Sequence, residues 1–345
     1  MRIPEIDIAD LFGTASQARA DADSALIDAA RGMGFLVVTG LPDDVPTGDR
    51  TRRELLRLFE LPEPERRTLW RRKFDPAQPN VYRGWFPAQN GDPTHKEGMD
   101  IGPDLVYGAQ VVDDTDVLRE TTPLPPEAAL PGWRTAAANY YRAMERTAAA
   151  LMRSVARGLG LPETTFDAAF FQGISTLRLI RYPVRTPESF GAMAPEQIWV
   201  MHQGQRRHLI GRPHVDSGFL TLVAQDETGG LQARSPQGAW VDVPPTDRAL
   251  VVNFGKVMER WTGGRVEATA HRVIGNERER FSIPFFYEPR VDAQIAPLNL
   301  VGAEPFEPFF FGDHLWSAII QFVEFRGLEH LRRPRGRPLS SINIG

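Results

Sequence analysis

Apolar residues recur with two different spacings along the chain, and the change of spacing divides the chain into two regions. Up to about residue 160 they follow helical spacing in three stretches, at 17–33, 47–60 and 132–159. Two short strands accompany them, one in the opening IPEIDIADL, where isoleucines interleave with polar residues, and one in FLVVTG at 35–40. We therefore predict a largely helical N-terminal region over residues 1–160.

Beyond residue 161 the apolar runs become short and strand-like. Runs such as STLRLIRYPV, FLTLVAQD and ALVVNFG are separated by turn residues, which is typical of an antiparallel sandwich or barrel. This predicts a β core over residues 161–300, followed over 301–345 by a helix in HLWSAIIQFVEF and a basic tail. Two segments lack a clear period: 74–131 is predicted as ordered loops over the core, and 186–212 as an insertion between strands.

The chain has no cysteine and only seven histidines. A disulfide framework, a thiolate zinc site, a Cys-ligated iron–sulfur cluster and a Cys nucleophile are all excluded. Any bound metal must therefore be held by histidine and carboxylate side chains.

Charge and hydropathy indicate which kinds of partner and which location the protein is expected to have. Forty basic and 44 acidic residues give a net charge of −4, so we expect neither nucleic acid nor a membrane surface as a partner. The N-terminus lacks a basic stretch followed by an apolar run, and no apolar run approaches the roughly 20 residues of a membrane span. We expect a cytoplasmic protein, either a monomer or a homodimer.

One His-x-Asp pair and one distant histidine have the composition of a metal site. His214 and Asp216 begin the predicted strand HVDSGFLTLVAQD, where side chains two positions apart point to one face. His271 begins another predicted strand, in TAHRVIG. Two histidines and one carboxylate form the facial triad of non-haem Fe(II) oxygenases, which leaves coordination positions open. Taken alone, a His-x-Asp pair often arises by chance, and a solvated loop pair is the alternative.

A candidate anion site follows the third histidine. Arg280 and Ser282 lie two positions apart in ERFSIPFFYEP and so share one face of a predicted strand. A guanidinium group and a hydroxyl group together suit a carboxylate bound beside a metal. The alternative is a surface arginine in the charged run ERER.

These motifs resemble those of the Fe(II)/2-oxoglutarate-dependent oxygenases, in the branch that is similar to isopenicillin N synthase. The order His214-x-Asp216, His271 and Arg280-x-Ser282 matches that family's iron ligands and co-substrate motif, and Tyr182 in LRLIRYP matches a tyrosine that contacts co-substrate or substrate. The resemblance covers nearly the whole chain. It implies an α+β, mainly β protein whose double-stranded β-helix, or jelly-roll, core is flanked by N-terminal and C-terminal helices.

The resemblance also implies an activity: oxidation of a small molecule by Fe(II), 2-oxoglutarate and O2, with release of succinate and CO2. Hydroxylation, desaturation and cyclisation are all open outcomes, and specialised metabolism is the expected setting. The alternatives are an Fe(II) oxidase of the isopenicillin N synthase type that needs no 2-oxoglutarate, a non-catalytic β-sandwich binding protein and a zinc hydrolase. No recognisable glutamate base supports the hydrolase.

Further residues are weaker candidates for function. Members of the family place substrate contacts in the middle region of the chain, which makes seven residues here candidates for contacting substrate. For each of them, packing or surface polarity is the simpler interpretation. They are Tyr82, Arg83, Trp85, Phe86, His95, Lys96 and Glu97. Arg206 and Arg207 are candidates for binding an anionic substrate, and a solvated loop is an equal alternative. His202 and His208 lack a carboxylate partner at strand spacing, so a second metal site is not expected there. His314 and His330 lie in the predicted C-terminal helix and tail, where structural roles are expected.

Overall fold

Two β-sheets supply the framework of the molecule, seen in a computed structural model that describes residues 2–336. The larger sheet has eight strands in the order β1-β2-β11-β8-β13-β5-β4-β3, and the smaller has five in the order β10-β9-β12-β7-β6. The strands are β1 Glu5–Asp7, β2 Phe35–Thr39, β3 Gly84–Phe86, β4 Glu97–Ile101, β5 Thr176–Tyr182, β6 Trp199–His202, β7 Gln205–His214, β8 Leu220–Gln225, β9 Leu231–Arg234, β10 Trp240–Asp242, β11 Leu250–Phe254, β12 His271–Ile274, β13 Arg280–Tyr287, β14 Gln294–Ile295 and β15 Phe309–Phe310.

Nine α-helices among residues 2–336 lie between the strands along the chain or after them. They are α1 Gln17–Gly32, α2 Asp49–Leu56, α3 Glu63–Arg67, α4 Asp104–Tyr107, α5 Trp133–Gly158, α6 Asp167–Phe170, α7 Pro195–Ile198, α8 Lys256–Trp261 and α9 Phe311–Ile319. No helix among residues 2–336 is both long and apolar enough to cross a membrane.

The inner faces of the two sheets pack against each other. Phe35 and Ile180 of the larger sheet share one apolar cluster with Ile210, Leu231 and Val273 of the smaller sheet. Successive side chains of a strand point to opposite faces of its sheet. The side chains on the inner face of the larger sheet therefore pack in this cluster, and those on its outer face pack against helices. The predicted jelly-roll core is confirmed, and its interior lies between the sheets.

The long helix α5 covers the outer face of the larger sheet. Its alanine-rich sequence favours helix, and large apolar residues recur on one side, where Tyr141 and Leu151 are fully buried. Tyr141 packs edge-on against Phe285 of β13, with ring centroids 4.9 Å apart, and donates to the carbonyl of Ser175 at 2.9 Å. The helical stretch predicted at 132–159 is thus confirmed, and it supports the strand that begins with Arg280.

Two segments without an apparent period form strands, so the sequence interpretation of them was wrong. Segment 74–131 contains β3 and β4, which extend the larger sheet beyond β5. Segment 186–212 contains β6 and most of β7, which form a hairpin. These strands are short, glycine-containing or rich in arginine, and long-range pairing stabilises them rather than local preference. The larger sheet thus takes strands from both sides of residue 160, and residues 337–345 of the predicted tail lie outside the described part of the chain.

A buried ion cluster joins β4 to β5 and to the segment before β3. Asp100 is fully buried and bonds to Arg178 at 2.5 and 2.8 Å and to Arg71. Burial alone would raise the pKa of Asp100, but the guanidinium groups of Arg178 and Arg71 outweigh it and lower the pKa to about 2. The carboxylate therefore stays ionised and compensates the buried Arg71 and the partly buried Arg178.

Asp100→Asn is expected to lower the free energy of unfolding by roughly 3–5 kcal/mol at neutral pH, because it leaves buried guanidinium groups uncompensated. The pKa of Asp100 is lower in the folded protein than in the unfolded chain, where it is ~4. The ionised carboxylate therefore stabilises the fold above pH ~4, and this contribution is lost as the pH falls towards about 2. The variant should therefore lose less stability than the parent between these pH values. Urea unfolding at pH 7 and at pH 3 measures both effects.

Asp44→Asn is the matched control, since Asp44 pairs with Arg146 on the surface and is 66% exposed. Its cost should stay within about 1 kcal/mol. Equal costs for the two substitutions would contradict the assigned role of Asp100.

Candidate metal centre and adjoining pocket

The two candidate histidine ligands are neighbours across paired strands. His214 ends β7 and His271 begins β12, and the two are register partners with ring centroids 4.3 Å apart. Asp216 lies two positions beyond β7, in the turn that leads to β8. The sequence interpretation that placed His214 and Asp216 at the start of one strand was therefore wrong, because the strand ends at His214 and a turn presents the carboxylate.

One oxygen of Asp216 approaches both imidazole rings. Oδ1 lies 3.7 Å from Nε2 of His214 and 3.8 Å from Nε2 of His271. All three ligand atoms lie within 4.8 Å of one another, the only such group of metal-binding side chains found among residues 2–336. We refer to His214, Asp216 and His271 as the triad.

Hydrogen bonds on the outer side of the triad orient its ligand atoms. Nδ1 of His214 lies 2.9 Å from the carbonyl of Arg212, and Nδ1 of His271 lies 3.3 Å from that of Thr269, so each ring turns Nε2 inward. Such bonds fix the tautomer that metal binding requires. Burial and the neighbouring His271 lower the pKa of His214 to about 3, which keeps the ring neutral.

Two polar side chains fix the carboxylate in the same way. Oδ2 of Asp216 accepts from Thr221 Oγ1 at 2.6 Å and from Asn253 Nδ2 at 2.7 Å, which leaves Oδ1 for a metal. Burial would raise the pKa of Asp216, but the two histidines and these bonds outweigh it and lower the pKa. Sequence analysis missed both residues, although each is an isolated polar position in an apolar strand, and that pattern could have indicated them.

The candidate anion site lies on the larger sheet, at the paired ends of β13 and β5. Arg280 is the register partner of Tyr182, and its guanidinium carbon lies 4.9 Å from the centre of the tyrosine ring. Ser282 follows two positions later on the same face and is buried. The structure thus brings together the three side chains that the resemblance indicated, and we call them the anion cradle.

The guanidinium group of Arg280 is only partly satisfied by protein. Nε donates to the carbonyl of Gly229 at 2.8 Å and Nη2 to Gln225 at 3.3 Å. Nη1 is buried and has no hydrogen-bond partner among residues 2–336. A buried unpaired donor on a cation is costly, and a carboxylate would satisfy it.

A cavity of about 120 Å³ adjoins His214 and Asp216. Its apolar wall comes from the end of β13 and from the C-terminal segment, and consists of Phe286, Leu315, Ile319, Phe322 and Phe325. Buried Arg332 anchors that segment, since it bonds to Asp116 and Asp313 at 2.8 Å each. The pocket wall is therefore held by charge pairs outside the pocket.

Polar groups occupy the rest of the lining. They include Tyr82, Lys96, Thr176, Arg178, Glu288 and Glu324. Lys96 Nζ lies 3.8 Å from Glu324 Oε1. Burial would raise the pKa of Glu324, but Lys96 and Arg178 outweigh it and lower the pKa, so this side of the cavity contains a compensated charge pair.

The other candidates are distributed between the pocket and the framework. Tyr82 and Lys96 line the pocket, whereas Arg83 donates to Thr176 and to the carbonyl of Ile174 beneath it. Three further candidates are structural: Trp85 and Phe86 are buried, and Glu97 pairs with Arg181. Sequence analysis did not single out Arg178, Glu288 or Glu324, which long-range pairing and the C-terminal segment bring to the pocket.

The remaining histidines lie outside the triad. His202 pairs with Asp242 at 2.9 Å, and His208 packs edge-on against Trp199. Nε2 of His314 lies 2.9 Å from the carbonyl of Ser217 and so supports the turn that carries Asp216.

Sequence comparisons match both regions of the chain. A profile of the 2OG-Fe(II) oxygenase superfamily matches residues 185–289, and a profile described as the non-haem dioxygenase in morphine synthesis N-terminal matches residues 3–124. A 2-oxoglutarate-Fe(II) type oxidoreductase of Aspergillus fumigatus is 30% identical over 302 residues, 84% of this chain and 82% of that protein. An isopenicillin N synthase of Streptomyces clavuligerus is 29% identical over 333 residues, 94% of this chain and 97% of that protein.

Solved structures agree in fold. A Neurospora crassa protein, crystallised with alpha-KG and thymine, superposes with a TM-score of 0.76 at 22% identity, covering 92% of this chain and 96% of that one. A rice dioxygenase for auxin oxidation superposes with a TM-score of 0.67 at 24% identity, covering 95% and 99%.

Proposed function

This chain belongs to the 2OG-Fe(II) oxygenase superfamily, and on that premise we propose that the triad binds its Fe(II) and the anion cradle binds the distal carboxylate of 2-oxoglutarate. The protein is a dioxygenase that uses Fe(II), 2-oxoglutarate and O2. When bound, Fe(II) and 2-oxoglutarate supply the chemistry that activates O2 and oxidises a small molecule, with release of succinate and CO2.

The donor set of the triad suits Fe(II). Two imidazole nitrogens and one carboxylate oxygen form one face of a coordination sphere, which leaves the opposite positions for other ligands. The carbonyls behind both rings, together with Thr221 and Asn253, hold these donors without occupying the inward atoms. The protein's part is therefore to keep three ligand atoms oriented and the ring of His214 unprotonated.

The observation that carries the co-substrate assignment is the buried Nη1 of Arg280, which has no hydrogen-bond partner in the part of the chain that the structure describes. A guanidinium fork with a hydroxyl group from Ser282 and a ring from Tyr182 recognises a carboxylate by charge and by shape. Because the cradle is buried, these contacts are screened little by water.

The cavity next to the triad is the proposed substrate site. Its apolar wall suits a small molecule with an apolar body, and its polar side suits a substrate with polar groups at its ends. Relatives named isopenicillin N synthase support specialised metabolism as the setting. A cytoplasmic location and the lack of a nucleic-acid partner stay predictions from the sequence.

The iron-loaded enzyme is expected to convert 2-oxoglutarate to succinate in an O2-dependent reaction that a true substrate accelerates. Screening small molecules for this acceleration, with succinate and O2 measured together, tests the assignment and searches for the substrate.

The similarity to isopenicillin N synthases, which extends over 94% of this chain, favours a second candidate function, that of an oxidase that needs no 2-oxoglutarate. Substrate-dependent O2 uptake that persists without any 2-oxoglutarate would establish that candidate and contradict the first.

A further inference from the structure

Glu288 places a carboxyl group inside the pocket, directly beyond the end of β13. The residue is 6% exposed, and its backbone N–H donates to Ser175 Oγ at 3.1 Å, which fixes the position of the chain. Its side chain lies against Gly218, so closely that a Cβ at Gly218 would collide with the carboxyl group. Because Gly218 follows Asp216 by two positions, the carboxyl group of Glu288 lies beside the proposed iron site.

This carboxyl group has no partner within the described protein. Oε2 is buried and forms no hydrogen bond with any residue from 2 to 336. The neighbouring cation, Arg83, donates instead to Thr176 at 2.5 Å and to the carbonyl of Ile174 at 2.8 Å. A buried polar group without a partner is costly, so this arrangement is stabilised when a ligand supplies donors.

A protonated amine matches Glu288 in charge as well as in hydrogen bonding. Burial raises the pKa of Glu288 well above its usual range, so the ionised carboxylate is favoured when a ligand brings a positive charge against it. Thr176 and Tyr82 also line the pocket, and their hydroxyl groups lie 3.4 Å apart. Hydroxyl oxygens accept hydrogen bonds as well, so the pocket offers a ligand further acceptors besides Glu288.

We propose that Glu288 binds a protonated primary amine of the substrate, with the apolar body of the substrate against the apolar wall of the pocket. An ammonium group carries three N–H donors, enough for the carboxylate and for a neighbouring hydroxyl group. Phe286 and Leu315 offer contact for an aromatic or aliphatic body. The assignment deepens the proposed function, because it rests on the pocket being the substrate site.

Three probes of similar shape test this assignment: benzylamine, benzyl alcohol and N,N-dimethylbenzylamine. Each is titrated calorimetrically, without O2, into enzyme loaded with Fe(II) and 2-oxoglutarate. The parent should bind benzylamine at least about tenfold more tightly than benzyl alcohol, and the dimethylated amine, which has a single N–H, should be intermediate. Equal binding of the three probes by the parent would overturn the proposal.

Two variants at Glu288 and one control complete the experiment. Glu288→Gln keeps the shape but removes the charge, and should reduce the preference for benzylamine to about twofold, whereas Glu288→Asp should retain most of it. Glu227→Gln, at an exposed glutamate, should behave as the parent. A preference that survives in Glu288→Gln would also overturn the proposal. Failure of the parent to bind Fe(II) or 2-oxoglutarate contradicts the proposed function instead, since the amine preference needs no turnover.

Discussion

Arg280→Leu is expected to weaken 2-oxoglutarate binding by at least about 30-fold while leaving Fe(II) binding unchanged. The substitution removes the buried guanidinium group whose Nη1 has no partner in the described protein, and the distal carboxylate then enters a site without its counter-charge. Truncating one partner of a buried, hydrogen-bonded charge pair costs about 2–5 kcal/mol, which corresponds to this range. Calorimetric titration of 2-oxoglutarate into iron-loaded enzyme, without O2, measures the change.

Two further variants make the result specific to Arg280. Arg278→Leu, at an exposed arginine of the same charged run, should bind 2-oxoglutarate as the parent does. Arg280→Lys keeps the charge but loses the planar fork, and should give an intermediate affinity. If Arg280→Leu retains the affinity of the parent, the anion cradle is wrongly assigned.

His271→Ala is expected to abolish Fe(II) binding, with an affinity at least about 100-fold lower, and with it all O2-dependent turnover. Disturbing the groups that merely orient a metal ligand typically costs 10–100-fold, so the loss of one of three protein ligands should cost at least as much. The imidazole is also the cross-strand neighbour of His214, and no other metal-binding side chain of residues 2–336 joins the triad to replace it. Anaerobic iron titration followed by metal analysis gives the affinity.

The control for this variant is His202→Ala, which removes a histidine that pairs with Asp242 far along the β6–β7 hairpin. It should bind iron as the parent does. Iron binding that is equal in His271→Ala and in the parent would show that the triad is not the iron site. The combination is diagnostic, because Arg280→Leu should lose only co-substrate affinity, whereas His271→Ala should lose the metal.

Strand periodicity predicted the β core and the pairing of Arg280 with Ser282, whereas the six candidate residues were grouped by their resemblance to the motifs of the oxygenase family. Arg280 and Ser282 do share one face of β13, and His271 does begin a strand. The assignment of these side chains to iron and 2-oxoglutarate stays a prediction until the variants are measured. The exact position of His214 was beyond local reasoning, since β7 is recognisable only through its pairing with β6 and β12.

The pocket itself could be predicted only in part. Tyr82 and Lys96 were weighed as candidates, but Arg178, Glu288 and Glu324 reach the cavity through pairings between distant parts of the chain. Nothing in the local sequence distinguishes Glu288 from any other glutamate that precedes or follows a proline. Its environment is created by Gly218, Ser175 and Asp216, which lie at least 70 positions away along the chain.

The location of the pocket wall late in the chain sets an order of assembly during protein synthesis. The ribosome completes all three proposed metal ligands once His271 has been added, whereas the wall from Leu315 to Phe325 is complete only about 54 residues later, roughly 3–11 s at 5–20 residues per second. The nascent chain therefore contains every proposed iron ligand before it contains the surface that shields them. Arg332, which anchors the wall to Asp116 and Asp313, comes later still, so the pocket is the last part of the site to be completed.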